Sequence, residues 1–169
     1  HIKFENDEKR TKYSIICTAI NSVIVFAMLF AMRGASVNVF DFTQTLGIKF
    51  KIDGLGCVFA AMVSFLWPLA TIYASEYMHH EGKMQKFFAF YLMTFGVTVG
   101  LAFSANMLTM YLCYEALTFI TLPLVTHSMD KRAEYAGKKY LIYSVGGASL
   151  SFVGMMLMMF FNGSIEFSY

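Results

Sequence analysis

Charge is the scarcest commodity in this chain. Of its 169 residues 14% are Asp, Glu, Lys or Arg, against 57% hydrophobic and 17% aromatic. Soluble domains carry roughly 25% charge. The charges are clustered and the stretches between them are nearly bare, which excludes an ordinary soluble surface and points to apolar solvent around the fold. Proline is limited to two residues, and each lies within an apolar run. The three cysteines, Cys17, Cys57 and Cys113, also fall in apolar stretches, with no CxxC pair and no CxxCH haem motif. They read as small buried residues. There is no long basic run and no acidic tail, so no nucleic-acid partner is expected. The opening HIKFENDEKRTKY is charged in both signs and leads into a run long enough to span, without a small-residue cleavage site. The chain does not begin with Met, and a longer protein is expected.

The apolar runs set the architecture. A membrane helix needs about 20 mostly apolar residues, because it rises about 1.5 Å per residue across a core about 30 Å thick. Residues 13–32 and 54–75 are uncharged runs of that kind. Residues 87–129 hold one acid, Glu115, and are too long for a single span. They divide at Ser104-Ala105-Asn106, giving spans near 87–103 and 107–126. A fifth is expected at 140–162. In lipid the backbone must satisfy its own hydrogen bonds, by helices or a closed barrel. SIICTAINSVIVFAMLFAM and GMMLMMFF show no alternation, so the expected fold is an all-α polytopic transmembrane bundle of five spans in one region.

Alternate loops share a side. Residues 1–12, 76–86 and 130–139 hold ten Lys and Arg, including Lys83, Lys86, Lys131, Lys138 and Lys139. The opposite loops hold three, Arg33, Lys49 and Lys51. The positive-inside rule then places the N-terminus in the cytoplasm and the chain in a cell (inner) membrane, in contact with the lipid bilayer.

Glu115 is the residue most open to a chemical role. It follows Asn106 by nine positions, about 13 Å along a helix and close to the membrane midplane. A charge there costs at least about 2.5–3.5 kcal/mol, so such residues face the bundle interior or water and serve ion or proton paths. The bland alternative is a neutral Glu that ties helices together. Desolvation favours the neutral acid and a nearby cation favours the carboxylate, so a group held between the two suits proton transfer. The nearest candidate lysines, Lys138 and Lys139, begin the fifth span at the cytoplasmic edge. Lys139 could point inward toward Glu115 or anchor at lipid headgroups. Pro123 removes a backbone hydrogen bond and leaves the Phe119 carbonyl open to water or an ion. Thr118 and Thr121 could hold water or bond back to their own helix. His127 ends the fourth span, and His79-His80 falls in a loop. No histidine is deep and paired as haem requires, so no cofactor is expected. Gly96-Val-Thr-Val-Gly100 and Gly146-Gly147-Ala148 read as close helix-packing faces. The Met run near 155–159 reads as lipid-facing or core filler.

Asp53-Gly54-Leu55 enters one span, and Tyr73-Ala74-Ser75-Glu76-Tyr77-Met78 leaves it. Asn106-Met107-Leu108 is followed by Tyr114-Glu115, and Lys139-Tyr140 opens the next helix. In order and spacing, over about residues 52–150, this resembles the antiporter-like subunits of respiratory complex I and the large subunits of Mrp cation/proton antiporters and membrane-bound hydrogenases. The resemblance implies that Glu115 pairs with a lysine on a later helix and that changes in the pairing drive a proton across the membrane. That helix lies beyond Tyr169, and the first span matches the family's second, so a fragment of a longer subunit is expected. Some relatives carry an acid in the helix after the glutamate; here SVGGASL has none, so no acidic relay is carried over.

The leading expectation is therefore a subunit translocating H+ or Na+ in a redox-driven or Mrp-type complex, with other membrane subunits as partners. It would belong to an NADH:quinone oxidoreductase-like or hydrogenase-like assembly and carry no redox chemistry of its own. The rival is a structural or assembly bundle in which Glu115 only ties helices.

Overall fold

The computed structural model describes residues 2–43, 46–81, 84–128 and 130–167. For residues 2–10, 79–81, 84 and 85 only the backbone is described. Five helices and one hairpin follow in order: α1 (Ile2–Ala31), β1 (Ser36–Asp41), β2 (Gly47–Lys51), α2 (Gly54–Glu81), α3 (Met84–Ala102), α4 (Met107–Val125) and α5 (Lys131–Asn162). Four of the helices are long and apolar enough to cross a membrane: α1 over Thr11–Ala31, α2 over Gly54–Met78, α4 and α5. The apolar part of α3, Lys86–Ala102, is shorter.

The expectation of an all-α chain is corrected in the segment between α1 and α2. Ser36–Asp41 and Gly47–Lys51 pair as an antiparallel hairpin, with Val37 opposite Phe50 and Asn38 opposite Lys49, and an irregularity between Asn38 and Phe40. The apolar/polar alternation of Ile48-Lys49-Phe50-Lys51-Ile52 is the strand period. Two backbone bonds fix the hairpin to the bundle: Lys51 N–H donates to the Phe103 carbonyl at 2.7 Å, and Ala105 N–H to the Lys49 carbonyl at 2.9 Å.

The densest core lies among α1, α2, α3 and β2. Val25, Leu29, Cys57, Ala60, Phe95 and Phe103 are buried there together with Ile52, and Trp67 packs against them. Trp67 stacks on Phe95 at 5.4 Å and tilts against Tyr91 at 5.3 Å. α2 begins against the end of α3: the Asp53 carboxylate accepts the Gly56 N–H at 2.6 Å. A Cβ on Gly56 would strike the Ala102 carbonyl oxygen. Glycine is therefore required there by close backbone approach, the way membrane helices gain contact.

α4 and α5 pack as a pair at the flank. The close approach lies at Gly137, where a Cβ would strike the Thr126 methyl. The stretches expected to be packing faces are different: nothing lies within 4 Å of a Cβ at Gly96, Gly146 or Gly147. Gly100 comes only to 3.8 Å from Cys113 Sγ and the Phe50 ring. Small residues permit close approach but do not create it; the partner surface decides.

Candidate functional site: the α4 carboxylate and its surroundings

α4 is fixed at its start with unusual thoroughness. The Asn106 side chain is buried, accepts the Thr109 N–H at 2.7 Å and donates to the Gly47 carbonyl at 2.8 Å. That satisfies one of the helix's orphan donors and ties α4 to the hairpin. The Thr109 hydroxyl, fully buried, accepts the Lys49 N–H at 2.9 Å. Met107 N–H donates to the Ile165 carbonyl at 3.0 Å. Lys49 and Glu166 form an ion pair across the same end. The hairpin, the α3–α4 connection and the segment after α5 thus share one end of the bundle. At the other end Phe87, near the start of α3, meets His127 after α4, ring to ring at 5.4 Å.

Glu115 sits nine residues into this anchored helix and is half-buried. Tyr111, one turn earlier, lies within hydrogen-bonding and electrostatic reach of it. The Tyr111 ring packs on Phe152 of α5 at 5.6 Å. Among the described residues no ion pair engages Glu115. Between α4 and α5, and reaching Leu101 of α3, lies an open groove of about 590 Å³, lined by Tyr111, Tyr114, Met110, Ser151, Gly154 and Met155 among others. Its wall is mainly methionine and tyrosine, an apolar surface with hydroxyls at intervals.

The other sequence candidates are spread apart. α5 begins at Lys131, capped by Asp130 accepting the Ala133 N–H at 2.7 Å. Lys138 and Lys139 therefore lie in the third turn of a helix and not at its start, which corrects the expected loop at 130–139. Lys138 pairs with Glu134 at 2.7 Å, an i,i+4 surface pair. The Lys139 ammonium lies 4.8 Å over the Tyr135 ring. Both lysines are exposed, and neither meets Glu115. Pro123 lies inside α4. Thr118 bonds back to the Tyr114 carbonyl at 3.2 Å and Thr121 to that of Leu117 at 2.8 Å. Thr121 also meets the Tyr140 hydroxyl at 2.6 Å, a polar link between α4 and α5 that sequence reading missed. The backbone at His79-His80 is helical, since α2 runs to Glu81, and these side chains lie outside the described residues. Met155 is buried and Met156 and Met158 are exposed, so the Met run serves core and surface by turns.

Comparison with known proteins places this geometry. Residues 40–88 match the family described as NADH-ubiquinone oxidoreductase (complex I), chain 5 N-terminus. Residues 104–169 match NADH:quinone oxidoreductase/Mrp antiporter, TM. The Na(+)/H(+) antiporter subunit A1 of Staphylococcus aureus (strain bovine RF122 / ET3-1) is 26% identical over 126 residues, covering 73% of this chain and 16% of that protein. This chain thus spans about a sixth of the length of that relative. Among solved structures, the Mrp complex from Dietzia sp. DQ12-45-1b superposes with a TM-score of 0.79 at 14% identity, over 95% of this chain and 18% of that one. An archaeal respiratory membrane complex, the membrane-bound sulfane sulfur reductase, gives 0.73 at 16% identity, over 94% and 25%. Two family matches lying in order along the chain and a curated antiporter relative together support an antiporter-like membrane subunit of the kind found in Mrp antiporters and complex I-type oxidoreductases, and the solved structures share its helical fold.

Proposed function

We propose that the chain is part of an ion-translocating subunit in which Glu115 is the titrating carboxylate of the ion path. The observation that carries this reading is a lone, half-buried acid midway along an apolar helix, beside a tyrosine and a groove, with no ion pair among the described residues. An acid at that depth without a counter-charge is costly unless it is neutral or is met by a mobile cation. Arrival of a cation favours its ionised form and departure favours recapture of a proton, which couples the two movements. H+ is the ion this chemistry suits, with Na+ as the alternative suggested by the similarity to a Na(+)/H(+) antiporter subunit. Lys139, with its ammonium on Tyr135 at the basic end, serves as an entry-side charge after a change of rotamer. His127 and Lys138 are accessory charges at that end, and Pro123 leaves an acceptor carbonyl between them and Glu115.

The expected experiment is Glu115→Gln in the intact parent complex, with ion uptake into vesicles normalised to assembled complex. Gln keeps size and hydrogen bonding but cannot ionise. Uptake is expected to fall by about tenfold or more, the scale of losing a positioned proton-transfer group, with assembly retained. Full uptake by the Gln variant would make Glu115 a structural tie.

In the same reading all five helices cross a cell (inner) membrane, other membrane subunits pack around them, and the hairpin faces outward. The bias of basic residues toward the α2–α3 and α4–α5 connections supports it. An impermeant thiol reagent is expected to label Val39→Cys from outside intact cells and to leave Ser128→Cys unlabelled. The opposite pattern inverts the topology.

A further inference from the structure

The α1–α2–α3 core contains a seam of hydroxyl side chains that the Glu115 reading does not use. Thr18 on α1 and Thr71 on α2 are fully buried and their hydroxyl oxygens stand 3.4 Å apart. The Tyr91 side chain of α3 lies close to Thr71. Counting protons closes this part of the seam. Thr71 O–H donates to the Trp67 carbonyl at 2.8 Å and Thr18 O–H to the Ser14 carbonyl at 2.8 Å.

One turn further along, the accounting fails. Ser22 follows Thr18 by a turn on α1, and Trp67 precedes Thr71 by a turn on α2. The helices run in opposite directions, so both steps lead the same way, and Ser64 lies one turn beyond Trp67. Ser22 Oγ, Ser64 Oγ and Trp67 Nε1 are all shut off from solvent and have no hydrogen-bond partner among the described residues. Ser64 is 1% and Ser22 5% exposed. Other hydroxyls in this core bond back to their own helix: Thr94 to the Tyr91 carbonyl and Thr98 to the Thr94 carbonyl, each at 2.7 Å. Ser22 and Ser64 do not. Buried polar groups left without partners are rare, because each forfeits its full solvation. Two hydroxyls and one indole N–H offer three donors and two acceptors, the complement a buried water needs to make about three hydrogen bonds.

We propose that ordered water is a built component of this seam, accepting from the Trp67 indole N–H and bridging to the Ser22 and Ser64 hydroxyls. The water would join α1 to α2, at a tryptophan that the Tyr91 and Phe95 rings of α3 hold in place. The site is independent of the role assigned to Glu115, which lies on α4.

The test is a map of the intact parent complex at a resolution that shows ordered water. A peak within about 3 Å of Trp67 Nε1 and of at least one of the two serine hydroxyls is expected. It should disappear in the Ser22→Ala/Ser64→Ala variant, and Trp67→Phe, which keeps the ring stack but removes the donor, should displace or abolish it. A wild-type map with no peak, and with the two serine hydroxyls turned onto the Thr18 and Ala60 carbonyls, overturns the proposal. So does a peak that persists unchanged in the double alanine variant.

Discussion

The two halves of the chain are packed in different ways. Between α1, α2 and α3, helices meet through small residues and buried hydroxyls, with Phe95 2% exposed and Ala60, Thr18 and Thr71 fully covered. Along α4 and α5, burial is sparse: Thr109 and Thr118 on α4, and Ala133, Gly137, Ala148 and Met155 on the 32 residues of α5. Phe119, Tyr143, Leu150 and Phe160 stand exposed. Without a hydrophobic drive between helices in lipid, association depends on van der Waals fit and interhelical hydrogen bonds. The first half has the fit along its length. The second is held at points: Gly137 against Thr126, Thr121 with Tyr140, Tyr111 on Phe152, and the hairpin at the end. The candidate carboxylate is in the sparser half, where a helix can shift against its neighbour at low cost. A group that must meet and release a cation is better placed there than in a close-packed core.

Truncating a matched pair of phenylalanines breaks or sharpens this contrast most strongly. Phe95→Ala empties a filled site beneath Trp67 and is expected to cost about 3 kcal/mol or more in the unfolding free energy of the solubilised protein. Phe119→Ala, at a residue 58% exposed, is expected to stay within about 0.5 kcal/mol. Equal losses would mean that the α4 flank is as tightly covered as the core.

The helices were readable because charge is absent over the lengths a membrane demands, and the break after Ala102 because Ser104, Ala105 and Asn106 are small or polar. The hairpin was missed although Ile48 to Ile52 alternates strictly. A search tuned to 20-residue runs passes over a five-residue strand. The early start of α5 was hidden by its charges. Asp130 is a helix cap and Glu134–Lys138 an i,i+4 pair, both sequence signals of a helix that outweigh polarity. At the site, the depth of Glu115 follows from counting along a helix, and Tyr111 at i−4 was within reach of the same count. The direction of Lys139 was not, since its neighbour Tyr135 competes as a cation–π partner. The orphaned serines carry no sequence signal, because Ser22 and Ser64 look like any hydroxyl that can bond back to its own helix.

A smaller effect is expected from the link between α4 and α5. Thr121→Val keeps the shape of the side chain and removes its contact with the Tyr140 hydroxyl. Interhelical hydrogen bonds of this kind in membranes average about 0.6 kcal/mol, and a loss of that size is expected. Tyr140→Phe should match it, and the double variant should lose no more than either single change. Additive losses would show that the hydroxyls act separately and that the pair is not a joint between the helices.

The smallest effect concerns the latch at the hairpin end. Lys49 is raised above its ordinary value of 10.5, chiefly by its hydrogen bond to Glu166, against a smaller lowering by burial, with the charges of Glu166 and Asp41 adding to the rise. A lysine raised in the folded state binds its proton more tightly there than in the unfolded chain. Its contribution is complete below the unfolded value and is lost as pH rises through the folded one. Wild-type protein should therefore hold a constant advantage in melting temperature over Glu166→Gln from neutral pH to about pH 10, where lysine begins to titrate. The advantage should shrink as pH climbs beyond that. Because the pair is partly open to water, with side chains 30% and 53% exposed, high salt should shrink it too. An advantage that stays unchanged above pH 10 and in high salt would mean that Glu166 stabilises this end through something other than the Lys49 charge. The candidate then is the backbone bond from Met107 to Ile165 beside it, which carries no charge and should feel neither pH nor salt.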